Sequence, residues 1–301
     1  MKVLITGGSG LIGKVLTQFL KDAGHDVAIL TRKVNPKLKV KQYQWDPRVH
    51  EIDSEALFNV DCIIHLAGAN IAEKRWTKKR WEEMYSSRVA SAEFLFEKVK
   101  EDQIPLKSFI SSSAIGWYGA DTSEQVFTEE AACADDILGD LSLAWEAAAD
   151  SFSDIGCSVS KVRTGIVLTH EGGALPKMMK PILFGMGSPI GSGMQYMPWI
   201  HMDDLCAIYK QLLEQKLPAG VYNGVSPEHV TNKDLTRLLA KVLQRPLWLP
   251  NVPSFVLSLI FGKMAVILLN GSRVSADKLI EKGFQFKYPK TLAALEDVLN
   301  K

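Results

Sequence analysis

The sequence has little of several features that mark specialised classes of protein. Its 301 residues include four cysteines, which lie far apart and form no C-x-x-C pair. That pattern argues against a disulfide framework and is typical of reduced thiols in a cytoplasmic protein. No grouping of His, Cys, Asp and Glu has metal-ligand spacing, and no Gly-x-Ser-x-Gly nucleophile motif occurs. We therefore expect no metal site.

Charge imbalance and long apolar runs are missing as well. The formal net charge is +1, so no overall field favours nucleic acid or an anionic membrane as a partner. The most apolar run, residues 255–269, is interrupted by Gly262 and Lys263 and is too short to span a bilayer. An apolar strand begins at residue 2, which predicts that no signal or transit peptide is present. We expect a cytoplasmic protein without nucleic-acid or membrane partners.

What the sequence does contain begins at its first residues. Residues 3–5 predict a short buried strand, glycines follow at once, and an apolar periodic run over 11–20 predicts a helix. Strand, glycine turn and helix are the context of a dinucleotide-binding fingerprint, in which free amides at the helix start hold the pyrophosphate. The alternative is an ordinary glycine turn. The residues that we expect at the cofactor are Gly7, Gly10, Leu11, Ile12 and Gly13.

The end of the second predicted strand, residues 26–30, indicates which dinucleotide is bound. An NAD site places Asp or Glu there, where the carboxylate accepts hydrogen bonds from the ribose hydroxyls. Here the positions carry Thr31 and Arg32. A guanidinium can hold a 2′-phosphate through paired, charge-assisted hydrogen bonds, which a carboxylate would repel. The sequence favours NADP(H) over NAD(H), although a solvated charge at a strand end is the plainer interpretation.

Other candidates for the cofactor pocket follow the next strands. Asp46 ends a third strand, where it can meet the adenine side or simply start a turn before proline. Small residues at the end of the fourth strand leave room for a ligand in the crevice. Arg88 lies on a charged helix predicted over 75–101 and either faces the phosphates or is solvated. The strand-end residues are Leu66, Ala67 and Gly68.

Strands and helices alternate through the first half of the chain. Residues 107–114 predict a fifth strand that ends in three serines, 140–153 a helix and 158–168 a sixth strand. This alternation predicts an α/β fold with a Rossmann-type, doubly wound parallel sheet. We place an NADP-binding domain at 1–168, with 195–226 returning to it, and a smaller, mostly helical substrate-side lobe at 169–194 and 227–301.

Short motifs recur along the whole chain, from the first strand to the last helix. One set consists of residues 6–13, 65–68, 111–114, 118–119 and 199–205. A second set consists of residues 145–148, 163–168, 187–193 and 283–289. The first set resembles the extended short-chain dehydrogenases, the superfamily of nucleotide-sugar epimerases. The second is similar to its YfcH/SulA-like "epimerase family protein" branch.

The resemblance implies a Tyr-x-x-x-Lys pair that this sequence lacks. In the superfamily the tyrosine is the acid/base, and the lysine lowers its pKa and holds the nicotinamide ribose. Aligned by their neighbours, these positions hold Leu141 and Trp145. Neither side chain can act as an acid or a base at neutral pH, and neither carries a charge. The resemblance implies that Ser113 forms a hydrogen bond with a carbonyl or hydroxyl oxygen of the substrate. Tyr118 is the nearest alternative proton donor, and Glu146 is placed to accept hydrogen bonds from ribose hydroxyls.

Each of these three residues also has a purely structural interpretation. Ser113 would cap nearby backbone, Tyr118 would pack in the loop above its strand, and Glu146 would be solvated on an amphipathic helix. The sequence therefore supports two functions of different classes. The first is an NADP-dependent oxidoreductase or epimerase acting on a small or nucleotide-linked substrate. The second is an NADP(H)-binding sensor or interaction protein without turnover, and a homodimer is compatible with either.

Overall fold

The computed structural model describes residues 1–300, and its centre is an eight-stranded sheet in the order β11-β8-β6-β5-β1-β2-β3-β4. Seven of these strands are parallel, and β4 runs antiparallel to β3. The strands of the described chain are β1 (Lys2–Thr6), β2 (Asp26–Thr31), β3 (Lys41–Asp46), β4 (Glu51–Ile52), β5 (Cys62–His65), β6 (Ser108–Ala114), β7 (Val126–Phe127), β8 (Ser158–Thr164), β9 (Ile166–Leu168), β10 (Trp199–His201), β11 (Val221–Gly224) and β12 (Arg273–Val274).

Helices cover both faces of this sheet and form most of the C-terminal part. They are α1 (Leu11–Asp22), α2 (Lys78–Tyr85), α3 (Ser91–Glu101), α4 (Ile137–Asp150), α5 (Leu175–Leu183), α6 (Met202–Leu213), α7 (Asn232–Val242), α8 (Ser254–Phe261), α9 (Val266–Leu269), α10 (Asp277–Glu281) and α11 (Thr291–Asn300). A π-helical turn, Ser86–Ala90, joins α2 to α3. Within residues 1–300, no helix combines the length and the apolarity needed to cross a bilayer.

Side chains that alternate along β1 build two separate apolar layers. Val3 and Ile5 pack with α1 and α6 on one face, whereas Leu4 packs with α3 and α4 on the other. Successive residues of a strand point to opposite faces, so an uninterrupted apolar strand must be covered on both sides. The three-layer arrangement confirms the predicted doubly wound α/β fold.

The position of β1 in the sheet determines where a ligand can bind. It pairs with β2 on one side and with β5 on the other. The chain therefore adds β2 to β4 on one side of β1 and β5, β6, β8 and β11 on the other. In open parallel sheets such a switch point leaves a crevice at the carboxyl ends of the strands. Thr6, Thr31 and Ala114 end their strands at this edge.

Two predicted elements are interrupted in the structure. The helix predicted over 75–101 contains the π-helical turn, and the strand predicted over 158–168 divides at Gly165. A Cβ at Gly165 would lie 2.6 Å from the carbonyl oxygen of Pro198, where the chain passes close by. Beyond Gly165, β9 leaves the main sheet and pairs with β10, while β11 extends the main sheet beside β8.

Candidate functional site

The glycine turn after β1 is shaped by close backbone approaches. Gly7 has φ +66°, and a Cβ there would lie 2.7 Å from the carbonyl oxygen of Leu66. A Cβ at Gly13 would lie 2.2 Å from the carbonyl oxygen of Gly7, so helix α1 packs on the turn only without one. Gly10 caps α1 and has no side chain to bond the first-turn amides. Those amides, of Leu11, Ile12 and Gly13, remain for an anionic ligand.

The end of β2 is followed by the cation Arg32, and a second cation, Arg48, lies in the turn after β3. Thr31 is buried and Arg32 is exposed. Asp46 accepts a hydrogen bond from Arg48 Nε at 2.8 Å and starts a turn by accepting from the Arg48 amide at 3.1 Å. Arg48 holds the pKa of Asp46 at about 2, with a smaller contribution from Arg32. The structure thus gives Asp46 the turn role, and its contact with adenine stays a prediction.

A buried histidine fixes the exit of β5 against β1. Thr6 Oγ1 lies 3.0 Å from His65 Nδ1 and accepts hydrogen bonds from the amides of Leu66 and Ala67. His65 Nε2 lies 3.2 Å from the Arg88 carbonyl oxygen. Complete burial lowers the pKa of His65 to about 4, so the ring is neutral at physiological pH. His65 is a core histidine that orients the crevice floor.

Arg88 is a buried cation without a counter-ion among the described residues. It lies on the π-helical turn, and its one side-chain hydrogen bond goes to the Met84 carbonyl oxygen at 3.2 Å. Its guanidinium lies 5.0 Å from the Trp145 ring centroid and would be 3.0 Å from a Cβ at Gly68. Burial, with Arg80 nearby, lowers the pKa of Arg88 to about 10. The crevice edge therefore holds an uncompensated positive charge beside the exit of β5.

Ser113 at the end of β6 donates to a carboxylate instead of to backbone. Its Oγ donates to Glu146 Oε1 at 2.7 Å. Arg163, on the adjacent strand β8, donates to both oxygens of Glu146 at 2.8 and 3.0 Å. All three side chains are buried. Because Glu146 is held by Arg163 and Ser113, the structure places it in a buried ion pair, and its contact with ribose stays a prediction.

Tyr118 belongs to the same network. Its hydroxyl donates to Asn223 Oδ1 at 2.6 Å and accepts from Arg163 Nη1 at 3.1 Å. Burial raises the pKa of Tyr118 to about 12. The backbone amide of Asn223 donates to Glu129 Oε1 at 2.8 Å. The donor and the acceptor capacity of the phenol are both used inside the protein, and its role as a proton donor stays a prediction.

Apolar side chains occupy the part of α4 where the resemblance implies the tyrosine and lysine. Leu141 and Trp145 are both buried. The indole Nε1 of Trp145 has no hydrogen-bond partner within residues 1–300. The guanidinium of Arg88 lies over the ring of this indole. A cation is thus present beside the lysine position, although it comes from a different helix.

Three members of this network were not predicted from the sequence, namely Arg163, Asn223 and Glu129. A signal for Arg163 was available, since an arginine inside a central parallel strand requires a carboxylate partner. Glu146 precedes it by 17 residues on the preceding helix. Asn223 and Glu129 gave no such signal, because they come from distant parts of the chain that meet only in the folded protein.

Known proteins resemble this chain along its whole length. A sequence model of the NAD dependent epimerase/dehydratase family matches residues 3–137, and one described as a domain of unknown function (DUF1731) matches 252–298. The human epimerase family protein SDR39U1 is 34% identical, over 99% of this chain and 100% of that protein. The chain belongs to the epimerase family proteins.

Solved structures of relatives agree with this membership. The crystal structure of human epimerase family protein SDR39U1 (isoform2) with NADPH has a TM-score of 0.89, 33% identity and full coverage of both chains. The crystal structure of UDP-glucuronic acid 4-epimerase from Bacillus cereus in complex with UDP-glucuronic acid and NAD has a TM-score of 0.79 at 18% identity, covering 100% of this chain and 99% of that one. The second likeness shows the shared fold alone. Among the described residues of this epimerase family protein, no group of three or more His, Cys, Asp and Glu is placed to hold a metal.

Proposed function

We propose that this epimerase family protein binds NADP(H) in the crevice at the switch point of its sheet. The observation that carries the proposal is the buried guanidinium of Arg88, which lies beside Gly68 at the exit of β5 without a counter-ion among residues 1–300. A buried charge is expensive unless it is paired, and a pyrophosphate held by the first amides of α1 would pair it. The NADPH in the crystal structure of the human relative supports the same assignment.

The identity of the dinucleotide is assigned to the end of β2. Arg32 stands where an NAD site carries a carboxylate, so NADPH is expected to bind more tightly than NADH. Calorimetry on both cofactors tests this, and the variant Arg32→Ala should remove most of the preference. A charge-assisted contact of this kind contributes about 1.5–3 kcal/mol. Lys37→Ala, an exposed cation of the same loop, is the matched control. Equal affinities of the unmodified protein for NADPH and NADH would refute the assignment.

We further propose that the chain is an oxidoreductase or epimerase-like protein for a small or nucleotide-linked substrate. Bound NADP(H) supplies hydride transfer, and the residues of the chain must orient the substrate. Because the Ser113 hydroxyl donates a hydrogen bond to Glu146, its oxygen remains free to accept one. Ser113 is therefore suited to accept a hydrogen bond from a substrate hydroxyl. The Bacillus cereus epimerase that shares this fold binds UDP-glucuronic acid, a nucleotide-linked sugar.

One observation favours a second function, NADP(H) binding without turnover. The positions of the family's acid/base pair are Leu141 and Trp145, and the phenol of Tyr118 is engaged by Arg163 and Asn223. Without a positioned base the chain would forgo the ~10²–10⁴-fold that general acid–base catalysis supplies. We accordingly expect negligible epimerisation of UDP-glucose and UDP-galactose.

A screen of metabolite extracts that follows NADPH absorbance separates the two functions. Consumption of NADPH that is lost in the variant Ser113→Ala, with NADPH affinity preserved, supports the oxidoreductase. Tight NADPH binding with no consumption in any fraction supports the sensor. Turnover of UDP-glucose at ordinary enzymatic rates would show that a base other than the ones considered is present.

A further inference from the structure

A groove of about 450 Å³ lies in the C-terminal part of the chain. Helix α7 forms part of its wall, and the rest of the wall is formed by Pro189 and by the segment that follows the helix, including Leu249 and Asn251. Asn251 fixes this wall because its amide donates to the carbonyl oxygens of Gly191 and Ser192 at 3.1 and 3.2 Å. The groove is therefore a formed concavity bounded by a helix and a tethered loop.

Four cations line this groove. Lys233, Arg237 and Lys241 occupy every fourth position of α7, and Arg245 follows at the next interval. Residues four apart share one face of a helix, so Lys233, Arg237 and Lys241 lie along the same face of α7 and repel one another. No Asp or Glu of the described chain lines the groove with them.

The cations also lack partners elsewhere in residues 1–300. Their side chains form no ion pair and no hydrogen bond, whereas other cations of the chain do, such as Lys161 with Asp150 at 2.7 Å. The formal net charge of the whole chain is +1. The four uncompensated charges are thus a local concentration on a protein that is close to neutral.

We propose that this groove is a second anion site, which binds a small soluble ligand carrying a chain of two or more phosphate groups. Several converging cations suit several linked phosphates, because each charge-assisted contact is stronger than a neutral one. From Lys233 to Lys241 the helix rises about 12 Å, at 1.5 Å per residue. That length suits one polyphosphate chain. A nucleic acid would require a wider basic field than a chain of net charge +1 presents.

The site is separate from the crevice in which NADP(H) is proposed to bind. Lys233 follows Asn232, whose side chain accepts from the amide of Ile190 at 2.9 Å, and the Lys233 amide donates to the Gly193 carbonyl oxygen at 2.8 Å. An anion in the groove would therefore contact the helix that anchors the glycine-rich loop, 185–193. The proposal stands whether or not the chain turns over a substrate.

Calorimetry with sodium triphosphate on the protein saturated by one equivalent of NADPH, with no excess, tests the site, because the bound NADPH keeps the probe out of the cofactor crevice and no free dinucleotide competes for the groove. We expect saturable binding with one triphosphate per chain that weakens as salt is added. The double variant Arg237→Gln, Lys241→Gln should lower the affinity about tenfold or more. The control Lys100→Gln, Lys282→Gln removes two exposed charges, one on α3 and one directly after α10, and should leave the affinity within about twofold. Unchanged NADPH affinity shows that each variant is folded.

Three results would overturn the proposal. The first is the absence of triphosphate binding to the NADPH-saturated protein. The second is an equal loss of affinity in the groove variant and in the control, which would indicate attraction by net charge alone. The third is binding to vesicles of phosphatidylcholine and phosphatidylserine without binding of triphosphate, which would assign the cations to a lipid surface.

Discussion

Two buried arginines of this chain differ in what balances their charge. Arg163 is held by both oxygens of Glu146, so its charge is compensated within the protein. Arg88 has a backbone carbonyl oxygen and the face of Trp145 as its neighbours, with no carboxylate within salt-bridge distance in the described chain. Arg163 is therefore neutralised inside the protein, whereas the charge of Arg88 is available to the proposed ligand.

Arg88→Met tests that difference. Removing an unpaired buried charge while keeping its volume should leave the free energy of unfolding of the cofactor-free protein equal or higher. The same change should weaken NADPH and NADH alike, because a pyrophosphate contact is common to both, by about tenfold or more. Calorimetry and urea unfolding measure the two effects, with Lys100→Met as an exposed control. Unchanged cofactor affinity would contradict the phosphate role of Arg88.

Glu146→Gln should have the opposite effect on stability. The variant keeps the shape of the side chain but leaves the Arg163 guanidinium buried without a counter-ion, which costs about 3–5 kcal/mol. Urea unfolding measures this loss. Glu93→Gln, an exposed glutamate on α3, provides the control and should change stability by less than about 0.5 kcal/mol. Equal unfolding midpoints for the two variants would show that the ion pair contributes nothing.

At the scale of elements, local sequence signals identified the cofactor-side framework. Glycine spacing and an apolar strand were enough to predict β1, the turn and α1, because these contacts lie within about twenty residues. The cap of α7 is equally local, because the Thr231 side chain accepts a hydrogen bond from the Asp234 backbone amide three residues later. Elements whose form depends on near neighbours were predictable.

Elements shaped by distant contacts could not be predicted from the sequence. The division at Gly165 follows from the approach of Pro198, more than thirty residues away, and β9 exists because it pairs with β10. The π-helical turn around Arg88 interrupts a helix whose charged sequence gives no sign of it. Such turns occur often at functional sites, which agrees with the position of Arg88 at the crevice edge.

Gly13→Ala tests the packing of α1 on the glycine turn. A Cβ at this position would lie 2.2 Å from the carbonyl oxygen of Gly7, so helix and turn must separate. We expect a loss of stability of about 1–3 kcal/mol, typical of overpacking, and a loss of measurable NADPH binding. Lys14→Ala, exposed on the same helix, should retain both properties. Thermal unfolding with and without NADPH provides the measurement, and wild-type behaviour of the Gly13 variant would mean that the turn tolerates a side chain.

At the scale of the whole molecule, the proposed ligand contacts come from both halves of the sheet. The glycine turn follows β1 and Arg32 follows β2, whereas Arg88 lies on the helical segment between β5 and β6. A cofactor bound to these elements together would stabilise the complete fold, because binding to the native state alone shifts the unfolding equilibrium.

NADPH should therefore raise the melting temperature of the entire chain in one transition. At a concentration of about 100 times Kd the stabilisation is about 2.7 kcal/mol, which corresponds to a rise on the order of 5–10 °C for a chain of this size. NADH at the same concentration should give a clearly smaller rise, because it offers no 2′-phosphate to Arg32. Scanning calorimetry with each cofactor measures both. A transition that splits, with NADPH raising only one part, would place the cofactor contacts on one half of the sheet.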